Sequence, residues 1–477
     1  MGVDLRQVVA GVLTLTMFVM LIHMIKRDHF DAVHDKLPGT EDVGFESTNF
    51  DTTHVRKNIG IWKGDADELN PCWAKPSEDN AETEGFVTFS LTNGPEYHIS
   101  QIADAVLVAR SLGATLVIPD IRGSQPGDKR LVPIASPISI SAIVKEIGGG
   151  GNFASSFRVV IIVLPFRSLV LLSTVIDTHL ILPATKTYWL LMNFEDIYDA
   201  NVFMKSMEGV VRVVKDLPSH VTTHKIAAVK VPNRVTEEYI AQHVEPIYRS
   251  KGSVRLATYF PSINMKKAGE KSDADSVACL AMYGSLELQQ ETHDLVDSMV
   301  ERLKTLSRKS DGQFIAVDLR VEMLNKKGCQ GSDSEKEKSC FNAQEVAVFL
   351  RKIGFEKDTT IYVTQSRWDE SLDSLKDLFP KTYTKESIIP ADKKKKFLDS
   401  EDSELEKVID FYISSESDVF VPAISGLFYA NVAGKRIGSG KSQILVPANI
   451  PDSSASASSF LSHYVSKKNH FAYSCYC

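Results

Sequence analysis

The sequence predicts an α/β protein with two doubly wound parallel sheets behind a single N-terminal transmembrane helix. Three observations carry this. Strand-like and helix-like patterns alternate from residue 85, and again from 314 to 447. The 477 residues are 43% hydrophobic and 24% charged, a globular composition that excludes collagen-like, coiled-coil and wholly disordered chains. Residues 8–25 read VVAGVLTLTMFVMLIHMI, with no Asp, Glu, Lys or Arg.

The apolar run closes on Lys26 and Arg27 and lacks a small-x-small cleavage site, so an uncleaved signal anchor is expected over residues 1–27. Arg6 precedes it and two cations follow, so flanking charge does not set its orientation. Residues 28–84 are polar, contain Pro71 and Pro76, and read as a stem, with Cys72–Trp73 a point that could dock on the globule.

From Gly85, Phe86–Leu91 is strand-like and Thr92-Asn93-Gly94-Pro95 is a turn. Ile99, Ile102, Ala103, Val106 and Leu107 recur at helical spacing before Gly113, and Thr115–Pro119 is a second strand. This βαβ unit implies parallel pairing. The first domain is expected over 85–310. Residues 131–192 do not fit it, because GGGG and an apolar run broken by Pro165 and Arg167 interrupt the alternation.

The second domain is expected over 311–447. It begins with the strand Phe314–Leu319, and Asn342 with Glu345 opens a capped helix to Lys352. Thr360–Val363 is a strand, Trp368–Phe379 helical, and 404–415 helical again. Asp418–Ile424 is a buried strand, Leu427–Ala433 a short helix and Ile444–Val446 a last strand, with 448–477 as a tail. Two such sheets facing each other place a ligand in the cleft between them.

The net charge of −7 disfavours general polyanion binding, so no nucleic-acid partner is expected. A nucleotide needs only a few backbone N–H groups and one Arg. Arg320 ends the strand FIAVDLR, where its guanidinium would enter the cleft and hold phosphate oxygens. Asp318 and Glu322 share its side by alternation and could pair with it. The loop Asn93-Gly94 opens a helix toward the same cleft, where Glu96 and His98 could act as a base or contact a sugar. Glu96 could equally just favour the helix dipole. Ser425-Gly426, between a strand and a helix, would let backbone approach a phosphate closely.

Other motifs carry less. GSGKS at 438–442 has Lys435 where a phosphate loop needs Gly, and a strand-like QILVP follows. Asp273–Asp275 lies in a polar stretch, and Lys393–Lys396 reads as a solvated loop. The six cysteines are too sparse for a disulfide scaffold and form no zinc pattern. Cys329 and Cys340 flank a polar loop that a disulfide could staple in an oxidising compartment, or remain two thiols.

FIAVDLR, AQEVAVFLRKIGF, TIYVTQ, DLFPKTYTKESI and FYISSESDVFVPAISG, in this order, resemble the plant O-fucosyltransferase-like glycosyltransferases. So do SLTNGPEYHISQIADAVLVARSLGATLVIP and FEDIYDANVFMKSMEGVVRVVKDLP. The resemblance covers roughly 85–130 and 193–447, and both termini resemble the mannan-synthesis-related branch.

It implies a type II Golgi membrane protein with a lumenal GT-B fold. It implies GDP-fucose or GDP-mannose as donor, inversion at the sugar carbon, no metal or other cofactor, and a polysaccharide or glycoprotein acceptor. A role in cell-wall mannan or glucomannan synthesis follows. Alternatives are a non-catalytic partner of a mannan synthase complex and a protein O-fucosyltransferase.

Arg320 matches the arginine of the family's His-Leu-Arg motif, which contacts the donor diphosphate, but Asp318 stands where that motif has His. Asn93-Gly94 matches the start of the family's donor loop, and Ser425-Gly426 its small pair near the nucleotide. Residues 131–192 have no counterpart, which implies a segment foreign to the domain, such as translated intron sequence.

Overall fold

A computed structural model describes residues 59–62, 69–73, 85–122, 192–219, 221, 226–263, 265–267, 272–327, 340–398, 403–450 and 456–477. The signal anchor, most of the stem, residues 131–191 and Cys329 lie outside them. Among the described residues no helix is long and apolar enough to cross a membrane.

The first half uses β1 (Phe86–Thr88), β2 (Ser90–Thr92), β3 (Thr115–Val117), β4 (Asp120–Arg122), β5 (Met192–Asn193), β6 (Val213–Val214), β7 (Ala227–Pro232) and β8 (Ser253–Tyr259). A five-stranded sheet has the order β6-β3-β1-β8-β7 with every pair parallel. The helix α1 (Pro95–Ser111) makes the crossover between β1 and β3. The predicted strand Phe86–Leu91 is divided at the buried Phe89. β1 stays in the main sheet, whereas β2 leaves it to pair with β4 in a three-stranded sheet completed by β5.

Two further helices, α2 (Asp273–Cys279) and α3 (Gln290–Leu306), lead to the second half. There β9 (Phe314–Asp318), β10 (Thr360–Val363), β11 (Thr382–Tyr383) and β12 (Val419–Pro422) form a parallel sheet in the order β11-β10-β9-β12. The fold is α/β with parallel sheets. Its helices are α4 (Ala343–Lys352), α5 (Ser403–Glu416) and α6 (Leu427–Gly438). The predicted capping box is present: Asn342 Oδ1 accepts from Glu345 N–H at 3.0 Å and Glu345 Oε2 from Asn342 N–H at 2.9 Å.

Strand β9 is buried on both faces, as a central parallel strand must be. Its period of two divides it between two cores. Ile315 and Val317 pack with Val346, Leu350 and Phe355. Phe314 and Ala316 join a core that runs on into Val87, Ile102, Val254 and Leu295 of the first half. Asp318 follows Phe314 and Ala316 by alternation and so faces the first half.

Several expectations need correction. Ile444–Val446 makes isolated bridges, Ile444 to Phe420 and Leu445 to Leu461, rather than a strand. The helix predicted over Trp368–Phe379 is a 3₁₀ turn at Glu370–Leu372 followed by Asp373–Leu378. The helix predicted to end at Ala433 runs to Gly438, because Gly434 marks a close approach rather than a stop. A Cβ there would lie 2.5 Å from Tyr283 Oη and 2.8 Å from the His470 ring. Lys393–Lys396 is not a solvated loop but part of the helix Ala391–Phe397. Lys393 and Lys396 grip Glu291 at 3.0 and 2.5 Å, and Lys394 grips Glu386 at 2.7 Å.

Residues 456–477 return to the body of the protein rather than hanging from it. His470 is fully buried, with Nε2 2.9 Å from Ala430 O and Nδ1 accepting from Ala472 N–H at 3.0 Å. Disulfides join Cys72 to Cys477 and Cys279 to Cys475, two pairings the sequence reading did not propose. Cys340 is also disulfide-bonded.

Ile121 pairs antiparallel with Met192, and Asp120 with Asn193, so Met192, placed in the predicted foreign segment, belongs to a sheet of the first half. Antiparallel neighbours need only a short hairpin loop. A variant with residues 125–190 replaced by a four-residue turn should therefore keep both parallel sheets, with a melting temperature within about 4 °C of the parent. Circular dichroism melting checks this.

Candidate functional site

The candidate residues from distant parts of the chain meet where the two halves face each other. Asn93 closes β2 at φ 70° and Gly94 begins α1 at φ 99°. This left-handed pair is pinned from inside the helix. Gln101 Oε1 accepts from Thr92 N–H at 3.0 Å, and Gln101 Nε2 donates to Thr92 Oγ1 at 2.9 Å. Gly94 sits at a positive φ that L side chains avoid, and a Cβ there would lie 2.6 Å from Glu96 Oε2 and 2.9 Å from Lys407 Cδ, so both side chains would have to move. Pro95 then supplies the helical φ at a position whose N–H would be unused.

Arg320 extends from the end of β9. Its Nε and Nη2 donate to the two carboxylate oxygens of Asp318 at 2.8 and 3.1 Å. Thr364 Oγ1 donates to the same carboxylate at 3.1 Å, and the Leu319 N–H donates to that hydroxyl at 3.0 Å. The guanidinium lies 4.6 Å above the Phe428 ring. Its Nη1 stands 3.9 Å from Glu96 Oε1, and its side chain keeps 25% of its surface exposed. Burial works against its charge, but Asp318 and then Glu96 outweigh that and hold the guanidinium protonated more firmly than usual.

Glu96 is 4% exposed, and its Oε2 has no hydrogen-bond partner among the described residues. Burial pushes its carboxyl up to about 7, against the pull of Arg320 and Lys407. It is a carboxyl poised near neutrality beside a cation, the arrangement general acid–base chemistry uses.

His98 is placed differently from Glu96. It is fully buried two residues on, about half a helical turn round α1, with Nδ1 3.0 Å from Tyr198 Oη and Nε2 3.4 Å from Glu404 Oε2. Burial lowers its pKa despite the Glu404 carboxylate, so it is a neutral packing histidine facing away from the open side of the site. Lys407 pairs with Glu404 at 2.9 Å and completes this wall.

Ser425 is buried and Gly426 begins α6. The helix packs on α1, where Asn431 Nδ2 donates to Glu96 O at 2.6 Å. The N-termini of α1 and α6 thus flank Arg320, but only α6 offers N–H groups toward an anion, because Pro95 has no N–H and the Tyr97 and His98 N–H groups donate to Gly94 O. Among the described residues, no group of three or more His, Cys, Asp or Glu is arranged to hold a metal ion. Asp273 and Asp275 are accounted for as helix start: the Ser272 hydroxyl accepts from Asp275 N–H at 3.0 Å, and Asp275 accepts from Ser272 N–H at 3.1 Å.

Sequence reasoning missed the polar network behind Arg320. Asp410 accepts from Tyr362 Oη at 2.8 Å and pairs with Lys385, which is 2% exposed. Nothing local marks Lys385 or Asp410 as buried, since each lies on a helix with ordinary charged neighbours.

The sequence profile described as GDP-fucose protein O-fucosyltransferase matches residues 162–438. The chain belongs to that family. Protein MANNAN SYNTHESIS-RELATED 1 and Protein MANNAN SYNTHESIS-RELATED 2 of Arabidopsis thaliana are each 52% identical to it over the whole of both chains. Protein MANNAN SYNTHESIS-RELATED of Trigonella foenum-graecum is 42% identical, again over the whole of both. A crystal structure of POFUT1 with GDP aligns with 77% of this chain and all of its own, at 12% identity and a TM-score of 0.39. The fold assignment rests on the strand order rather than on that alignment.

Two outcomes test the site. Gly94→Ala should destabilise the protein by about 2 kcal/mol or more, through positive φ and the Glu96 clash, in chemical denaturation. Glu96 has a folded pKa of about 7 against an ordinary 4.5. The stability held by its protonated form is complete below about pH 4.5 and is lost as pH rises through about 7, on the order of 3 kcal/mol. Glu96→Gln should flatten the fall in stability across that window.

Proposed function

We propose that this protein is a glycosyltransferase with a GT-B arrangement that takes a sugar from a GDP-sugar and acts in cell-wall mannan or glucomannan synthesis. The observation that carries the reading is Arg320, fixed at the end of β9, stacked on Phe428 and 3.9 Å from Glu96. A GDP-sugar bound between the two halves would lay its diphosphate against this guanidinium and the N-terminus of α6. As the glycosidic bond breaks, negative charge grows on the departing GDP, and Arg320 would balance it without a metal. Glu96, as the carboxylate, would take the proton from the acceptor hydroxyl that attacks the opposite face of the sugar carbon, giving inversion. Family membership supports the GDP-sugar class, and the names of the full-length relatives support mannan synthesis. The apolar run at residues 8–25 supports a membrane anchor, and the family resemblance supports a type II Golgi protein with these domains in the lumen. The acceptor would be a polysaccharide or a glycoprotein, and GDP-fucose and GDP-mannose are the donors to compare.

A second reading, a non-catalytic member of a mannan synthase complex, is favoured by one detail. Asp318 occupies the family's histidine position and already takes two of the guanidinium's donors. A third reading, protein O-fucosylation, would show as GDP-fucose turnover on a protein acceptor.

Arg320→Lys keeps the charge opposite Asp318 but loses the planar fork. Calorimetric titration should find GDP bound at least tenfold more weakly, about 1.4 kcal/mol, with little change in melting temperature. GDP affinity that ignores this change would end the donor reading. The transfer rate should rise with pH through about 7 as Glu96 ionises, and Glu96→Gln should abolish it. If the Glu96→Gln protein restores mannan in a plant lacking the parent protein, the accessory reading stands instead.

A further inference from the structure

A cavity of about 400 Å³ lies farther along α1, between that helix, α2 and the returning C-terminal segment. Its volume falls within the usual range of small-molecule sites. It is open because facing helices present small residues to each other: Ala103 on α1, and Ala274 and Ala278 on α2.

Two polar side chains line this space with unused hydrogen-bonding capacity. Ser100 is 3% exposed, and its Oγ has no partner among the described residues. Asp104 is 1% exposed; its Oδ1 accepts from Val235 N–H at 3.0 Å, and its Oδ2 has no partner among the described residues. The two stand four residues apart and so share one face of α1. A buried polar atom left unpaired is costly, and two lining one cavity point to a ligand that completes them.

The chemistry of the walls narrows that ligand. Arg234 is already engaged: Nη1 donates to Lys266 O at 2.8 Å, Nη2 lies 3.9 Å from Asp275, and the guanidinium sits 4.3 Å over Phe471. Glu237 and Glu238 also line the cavity, and these acids disfavour a phosphate. Burial pushes Asp104 up to about 8, against its backbone hydrogen bonds and Arg234, so at neutral pH its carboxyl donates as well as accepts. Leu107, Met282 and Phe471 give the wall an apolar patch, and Thr236, Ser272 and Asp275 add polar groups beside it. Polar groups around an apolar patch match a pyranose ring, which carries hydroxyls around its rim and C–H groups on its faces.

We propose that the Ser100–Asp104 cavity is a binding site for a neutral hexopyranose or short glycan, separate from the site at Arg320. Ser100 is four residues beyond Glu96 on α1, so a glycan held here lies along the same helix as the candidate base. The inference does not depend on transfer chemistry, and GDP affinity is a separate measurement.

Calorimetric titration of the full-length protein in detergent with β-1,4-mannobiose and with cellobiose tests it. At least one should bind saturably. Ser100→Ala should weaken that binding about fivefold, and Ala274→Phe, which fills the cavity, should abolish it, while both variants bind GDP as the parent does. No saturation by either disaccharide up to about 10 mM, a range that still registers weak sites, would overturn the proposal. So would disaccharide binding that survives Ala274→Phe unchanged. Spermidine binding that Ala274→Phe abolishes, without disaccharide binding, would show a cation site instead.

Discussion

The Asp318–Arg320 pair is the constraint around which the rest of the site is arranged. One guanidinium serves two nearly dry carboxyls. It forms a forked pair with Asp318, which Thr364 also supports. It reaches Glu96 only at 3.9 Å, and that distance does not offset the desolvation of a second carboxylate. Glu96 therefore keeps its proton up to about 7. Asp318 thus anchors Arg320, while burial leaves Glu96 poised near neutrality. The backbone accommodates this at Gly94, where a Cβ would strike the Glu96 carboxyl.

Holding groups from two halves this close requires that the halves be continuous. They are, because β9 sends alternate side chains into different cores, and the Phe314–Ala316 face shares its core with the first sheet. Helices α5 and α6 pack against α1 in that shared core. The C-terminal segment adds a second connection, with His470 bonded to the α6 backbone and Cys475 and Cys477 tied to Cys279 and Cys72. A 405-residue separation between Cys72 and Cys477 makes that bond a long-range constraint on the unfolded chain.

The α/β alternation, the capping box at Asn342 and Glu345, the strands at 314 and 360, and the convergence of Asn93-Gly94, Glu96, Arg320 and Ser425-Gly426 were legible in the sequence. Each depends on local chemistry: hydrophobic period, helix caps, and turn residues after strands. His98 reads like Glu96 in the sequence, yet helical geometry turns it into the core beside Tyr198 and Glu404. The break at Phe89 was invisible because both strands have the same alternation. The run of lysines at 393–396 lies on a helix whose charges are matched by Glu386, eight residues before Lys394, and by Glu291, about a hundred residues away in sequence.

The sequence by itself determined the fold class, the family and the segments that meet around Arg320, because these follow from short-range periodicity and from motifs kept in order. Tertiary structure alone decided which cysteines pair, that the last 22 residues (456–477) pack back on the body, that Lys385 and Asp410 are buried together, and that Ser100 and Asp104 line an open cavity. These depend on which faces meet across hundreds of residues, and no local pattern encodes the distance between groups that the chain brings together only once it has folded.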